Sequence, residues 1–215
     1  MAVLHHAFRC PVTREFEREI SNLLAAWDAG DQARLSAVAL AGYASLAQRE
    51  DIQAAFHLAP DGAVSSWLQP EFISPGLAAL TVLAHSFIPL PGLSASGDTN
   101  HDLLATQLPA LGWSDEEIGL LVRGKPIEAM LQGYTVSARR LEQGGFRHTG
   151  GWTSGRMAGT LSARLERLAA GIPPDADEAA QAAWLLLDES NALHDARAML
   201  APLTDDDWLV MAITH

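Results

Sequence analysis

The chain has little cysteine and little lysine. Of its 215 residues one is cysteine, Cys10, and one is lysine, Lys125, against 13 arginines. A lone cysteine excludes an internal disulfide and suits a reducing compartment, so the expected location is cytoplasmic. Long apolar runs are also missing. The longest, Leu77 to Leu90, is broken by Thr81, His85, Ser86 and Pro89 and is shorter than the roughly 20 residues that span a bilayer. The N-terminal MAVLHHAFRCPVTREFER has no basic start followed by an apolar stretch, so no secretory signal of the usual form is read there. No membrane association is expected. Positive charge is scarce: 14 Lys and Arg stand against 26 Asp and Glu, a net −12. General nucleic-acid binding, which needs several phosphates neutralised, is therefore not expected.

Turns of the Asn-Gly type that mark hairpins are absent, and the apolar period is helical nearly throughout. Phe16, Ile20, Leu23, Leu24 and Trp27 form one face of a helix from Thr13 to Ala29, stopped by Gly30. Asp31 caps a second helix that buries Leu35, Val38, Ala39, Gly42, Tyr43 and Leu46. More helices are expected around 52–58, 76–87 and 99–110. Ser114-Asp-Glu-Glu117 has the form of a capping box and opens a helix ending near Arg123-Gly124. Pro126 starts another, in which Ile127, Leu131, Tyr134, Ala138 and Leu141 line a buried stripe. Met157, Leu161, Leu165 and Leu168 define the next, and a last long helix runs from Asp177 to Leu200. The short C-terminal element around Trp208 is open between helix and strand. Residues 59–75 read as loop and 89–98 as linker or lid. The expected fold is all-α, a single bundle-like domain over residues 1–215 with roughly eight to ten helices.

Against this acidic background one stretch inverts the charge. Residues 123–167 hold eight of the 14 basic groups and three acids, a balance of +5, while the rest of the chain carries −17. Its centre is the Gly-rich connector 144–156, Gly144-Gly-Phe-Arg-His-Thr-Gly-Gly-Trp-Thr-Ser-Gly155-Arg156. Glycines admit close approach of backbone amides, and Ser154 is placed to cap the helix that follows. Arg147 and Arg156, with Arg139 and Arg140 upstream, supply forks that match carboxylate or phosphate. Phe146 and Trp152 offer rings for stacking or wedging, and His148 is available as a general acid–base. The pattern is neither a P-loop nor a dinucleotide fingerprint. Arginines near helix ends, such as Arg139, Arg140 and Arg123, also suit the helix dipole without any ligand.

Other chemistry is thinly represented. His101-Asp102 and His194-Asp195 are His-Asp pairs of the kind on which HD-type metal phosphohydrolases are built, with His85 as an upstream candidate ligand. The downstream aspartate of such a site is not assignable by spacing, and a solvated helix face explains the same residues. His5, His6 and Cys10 resemble ligands in type only. No Gly-x-Ser-x-Gly elbow is present. A helix-turn-helix over 114–142 would place Pro-Ile-Glu-Ala-Met where base-reading side chains belong. Six tryptophans are dispersed, and an aromatic beside arginine is the composition of an interface hot spot.

Two functional classes follow. The first is a helical protein-interaction or regulatory module using the basic Gly/Arg/Trp loop. The second is a small helical enzyme or ligand-binding protein that clamps an anionic phosphate or carboxylate ligand there, with a His/Asp metal-dependent hydrolase as its variant. A protein partner or an anionic small molecule is expected. Any cofactor is unknown, no metal ligands are assigned, and the oligomeric state is open.

Overall fold

A computed structural model of the chain describes residues 4–46, 48–55, 83–91, 100–126 and 150–214. They divide into two compact units, one over residues 11–87 and 126–149 and the other over 1–10, 88–125 and 150–215.

The first unit is helical where it is described. Helix α1 (Arg14–Asp28) starts where Thr13 Oγ1 accepts from the Phe16 amide, 3.2 Å, and buries Phe16, Ile20, Leu23 and Ala26. Helix α2 (Gln32–Leu46) follows Gly30, and Asp31 Oδ1 accepts from the Arg34 amide at 3.0 Å as an N-cap should. Helix α3 (Glu50–Ala55) buries Ile52. Arg49 forks onto Asp51 at 2.9 and 3.0 Å and also donates to the Phe87 carbonyl at 2.8 Å. Those hydrogen bonds hold the Asp51 carboxyl below its usual range. The expected helix over 127–141, the 59–75 loop and most of the 76–87 helix and 89–98 lid lie outside the described residues.

The second unit overturns the all-α expectation, because it is built on a five-stranded sheet. Its strands are β1 (Leu4–Pro11), β2 (Ile88–Leu90), β3 (Lys125–Pro126), β4 (Gly150–Ser154) and β5 (Asp207–Thr214), in the order β2-β1-β5-β4-β3. β1 and β2 run antiparallel with Phe8 opposite Pro89. β4 and β5 run antiparallel with Trp152 opposite Val210 and Ser154 opposite Trp208. The fold is mixed α/β with helices dominant. The strands escaped the period-2 reading because the inner ones are not half-exposed. Ala7 and Phe8 are buried in succession, as are Leu209, Val210 and Met211, and doubly covered strands lose alternation.

Helices α4 (Asn100–Gln107), α5 (Asp115–Val122), α6 (Gly155–Ala169), α7 (Glu178–Glu189) and α8 (Ala192–Leu200) complete this unit, with a 3-10 turn at Leu108–Leu111. Leu104, Leu108, Leu121, Leu161, Leu187 and Leu193 share one apolar cluster with Leu209. The single helix expected from 177 to 200 is two: Asn191 sits at φ +61°, which breaks it between α7 and α8. Asn is among the few residues that tolerate this region. Among the described residues no helix is long and apolar enough to cross a membrane.

Gly155 stands where β4 turns into α6. A Cβ there would run into the Thr204 carbonyl and lie 2.8 Å from that of Asp207. Replacement Gly155→Ala is expected to cost about 3 kcal/mol or more, at the top of the overpacking range. Gly119→Ala, inside α5 with nothing within 4 Å of its Cβ, is expected to stabilise by about 0.5–1 kcal/mol. Urea denaturation of the two variants beside the parent checks both signs.

Candidate functional site

Of the residues singled out above, Arg139, Arg140, Phe146, Arg147 and His148 lie outside the described residues. Trp152, Ser154 and Arg156 are placed, and not on a connector. Residues 150–154 are strand β4, so the Gly-rich reading is corrected there: this backbone is paired to β5. Two of its glycines serve chain packing. A Cβ on Gly151 would collide with the Arg123 carbonyl and approach that of Lys125 to 2.7 Å. A Cβ on Gly124, at φ +67°, would lie 2.6 Å from Trp152 N. The backbone of 123–125 therefore lies directly against β4, where a Cβ on either glycine would clash.

That approach builds a shallow recess of about 70 Å³, lined by Leu120, Lys125, Trp152, Thr153, Ser154 and Met157. Thr153 is buried and its hydroxyl donates to the Leu120 carbonyl at 2.9 Å, which ties β4 to the end of α5. The Ser154 hydroxyl accepts from the Met157 amide as N-cap of α6. Trp152 leans on Trp208 with ring centroids 5.2 Å apart, as diagonal neighbours on one sheet face do. The indole nitrogen of Trp152 is buried with no hydrogen-bond partner among the described residues. No acid lines the recess among the described residues. Lys125 is exposed, as are Arg123 at the end of α5 and Arg156 in the first turn of α6. Sequence reasoning assigned Arg123 to a helix dipole and missed its place, and that of Lys125, here. The signal was Gly124 and Gly151, read singly rather than as a pair.

Arg164 behaves differently from its basic neighbours. It stacks on Trp113 at 4.6 Å, pairs with Glu117 and donates to the Gly112 carbonyl at 3.1 Å. Glu117 in turn accepts from the Ser114 amide at 2.9 Å and closes the capping box of α5. The Ser114 backbone first and Arg164 second hold the Glu117 carboxyl below its usual range. Elsewhere in this unit Arg197 forks onto Glu166 at 2.7 and 2.8 Å. Arg9 pairs at 3.4 Å with the buried Asp207, which also accepts from Thr204. Beside it the Cys10 thiol is pushed up to about 12 by burial and then by the Asp207 charge, so it stays protonated and unreactive at neutral pH.

The His/Asp set is divided. His85 lies in the helical unit, with Nε2 3.2 Å from Glu19. His101, Asp102 and His194 lie in the sheet unit. His101 is buried with Nδ1 3.1 Å from Asp102, Asn100 bonds Asp195, and His194 is exposed. Among the described residues no group of three or more His, Cys, Asp or Glu is placed to hold a metal ion. The sequence matches no protein-family model, no curated protein and no solved structure.

Because the folded Glu117 carboxyl is depressed, the stability it contributes is present above the ordinary glutamate value near 4.3 and is lost as pH falls through its lower folded value. Glu117→Gln is expected to destabilise at pH 7 by about 1 kcal/mol, the typical worth of a cap. The gap between variant and parent should close as pH falls from about 5 to 3. Denaturation midpoints at stepped pH check it.

Proposed function

We propose that this chain is a protein-interaction or regulatory module that docks an acidic partner on the edge formed by Arg123, Lys125 and Arg156. The observation that carries the reading is the split in charge pairing. Arg9, Arg18, Arg49, Arg164 and Arg197 all lean on the chain's own carboxylates. Six basic groups are exposed and pair with no acid among the described residues: Arg14 and Arg34 in the helical unit, and Arg123, Lys125, Arg156 and Arg167 in the sheet-bearing unit. In a chain of net −12, cations left unneutralised are placed to meet charge from outside.

The size of the recess favours docking over catalysis on a small molecule. Pockets that enclose such ligands hold about 300–1,000 Å³. A recess of about 70 Å³ accepts one side-chain tip. Seated there, a partner carboxylate would lie beside Lys125 with Trp152 and Met157 for its stem, the aromatic-and-cation composition of interface anchors. The single cysteine, buried and protonated, supports a cytoplasmic setting.

A fluorescein-labelled deca-glutamate peptide, followed by anisotropy at low salt, tests the proposal. Binding is expected, weakening as salt rises above about 0.1 M and about tenfold or more weaker in the Arg123→Glu/Lys125→Glu/Arg156→Glu variant, since about 1.4 kcal/mol is a decade. No binding by the parent, or equal binding by the variant, contradicts it. Displacement of the peptide by inorganic phosphate at low millimolar concentration would instead support a small-anion site.

A further inference from the structure

Two helices of the sheet-bearing unit carry matching exposed faces. On α6 the positions i, i+4, i+7 and i+11 are Arg156, Thr160, Ala163 and Arg167, all exposed. On α7 the same spacing gives Glu178, Ala182, Leu185 and Glu189, again all exposed. Residues at this spacing share one helix face, and 11 residues span about 16 Å. Each face is therefore bounded by two like charges about 16 Å apart, basic on α6 and acidic on α7. None of the four charges pairs with another group among the described residues.

The α7 face is also apolar in a way that calls for cover. Leu185 and its neighbour Leu186 are 50% and 47% exposed, although α7 has a separate buried face through Ala180, Ala183 and Leu187. The α6 face is flat between its arginines, with Thr160 and Ala163 flanked by Gly159, whose Cβ would meet nothing within 4 Å. Small residues allow helices to approach to about 8 Å, so Leu185 fits between the arginines. Within one copy the two faces do not meet, because both are exposed.

We propose that α7 of one copy docks on α6 of a second copy, antiparallel, with Arg156 against Glu189, Arg167 against Glu178, and Leu185 over Thr160 and Ala163. The inference deepens the reading above and rests on it in treating the unpaired cations as docking groups: for Arg156 the acidic partner is a second copy of this chain. The antiparallel arrangement is chosen because it opposes the two helix dipoles. Each copy carries both halves, so the contact is made twice in a two-fold dimer or repeats along a chain. A single helix pair lies at the small end of interface sizes, below about 1,200 Å², so association is weak and salt-sensitive.

Sedimentation velocity of the full chain from about 5 to 500 μM, at low salt, reads it. The parent is expected to gain mass with concentration. Arg156→Glu/Arg167→Glu, Glu178→Arg/Glu189→Arg and Leu185→Ser/Leu186→Ser should each weaken association about tenfold or more. Mixing the first two should restore it, as should the single-chain pair Arg156→Glu/Glu189→Arg relative to Arg156→Glu alone. A parent that stays monomeric throughout, or charge variants that associate like the parent, overturns the inference. Restoration by Glu178→Arg rather than Glu189→Arg as the mate of Arg156→Glu overturns the antiparallel register. Deca-glutamate binding to Leu185→Ser/Leu186→Ser, which adds no charge and leaves Arg123, Lys125 and Arg156 intact, separates the two readings. Peptide binding without self-association removes only this inference, and rescued self-association without peptide binding removes only the wider one.

Discussion

The pairing of β4 with β5 sets the position of almost everything in the sheet-bearing unit. Its register puts Ser154 opposite Trp208, and the next residue, Gly155, passes the backbone of Thr204 and Asp207 too closely for any side chain. That crossing fixes where α6 begins, and so sets Arg156 in its first turn with Ser154 as the cap. On the other edge of β4, Gly151 and Gly124 let residues 123–125 lie against the strand. Lys125 reaches the recess only because of this contact. Three glycines, each needed for backbone-to-backbone approach, thereby assemble a basic edge from segments about 25 residues apart in sequence.

The electrostatics divide along the same line. Where a basic residue holds the fold, it is matched by an acid of the same chain and by further hydrogen bonds, as Arg164 is by Glu117, Gly112 and Trp113. Such an arginine acts through geometry as much as charge: the fork and the ring stacking keep α6 against the start of α5. In the sheet-bearing unit, a described basic residue with no such match stands in solvent at the sheet edge or along α6. Exposed cations of this kind add little to stability. In the proposed reading their charge acts outward, to attract and orient an acidic surface.

Much of the helical architecture was legible in the sequence. The Phe16–Ile20–Leu23 face, the Asp31 cap and the Ser114–Glu117 box all came from local chemistry, and each recurs as a hydrogen bond or a buried stripe. Of the strands only the C-terminal one around Trp208 was partly legible, open between helix and strand; the others were not legible, because β1 is buried without alternation and GGWTS offers few strand formers. The break at Asn191 was hidden by an unbroken apolar period on both sides. The Gly-rich stretch was noticed for a sound reason, close backbone approach, but assigned to a ligand. In the structure the approaching group is the chain itself at Gly151 and Gly155. Trp152 and Ser154 line the recess there, Arg156 follows in the first turn of α6, and Lys125 joins the lining through a contact that no local pattern announces.

The account's central claim is that the edge bearing Lys125 and Arg156 is an outward-facing docking surface. Amide chemical-shift mapping of the isotope-labelled chain during titration with the deca-glutamate peptide tests it most directly. The account predicts shifts concentrated at Arg123–Lys125, the Trp152 indole N–H and Ser154–Met157, with Arg164 and Arg197 little moved. Shifts spread evenly over the exposed arginines, or centred on Arg14 and Arg34 in the helical unit, would contradict it.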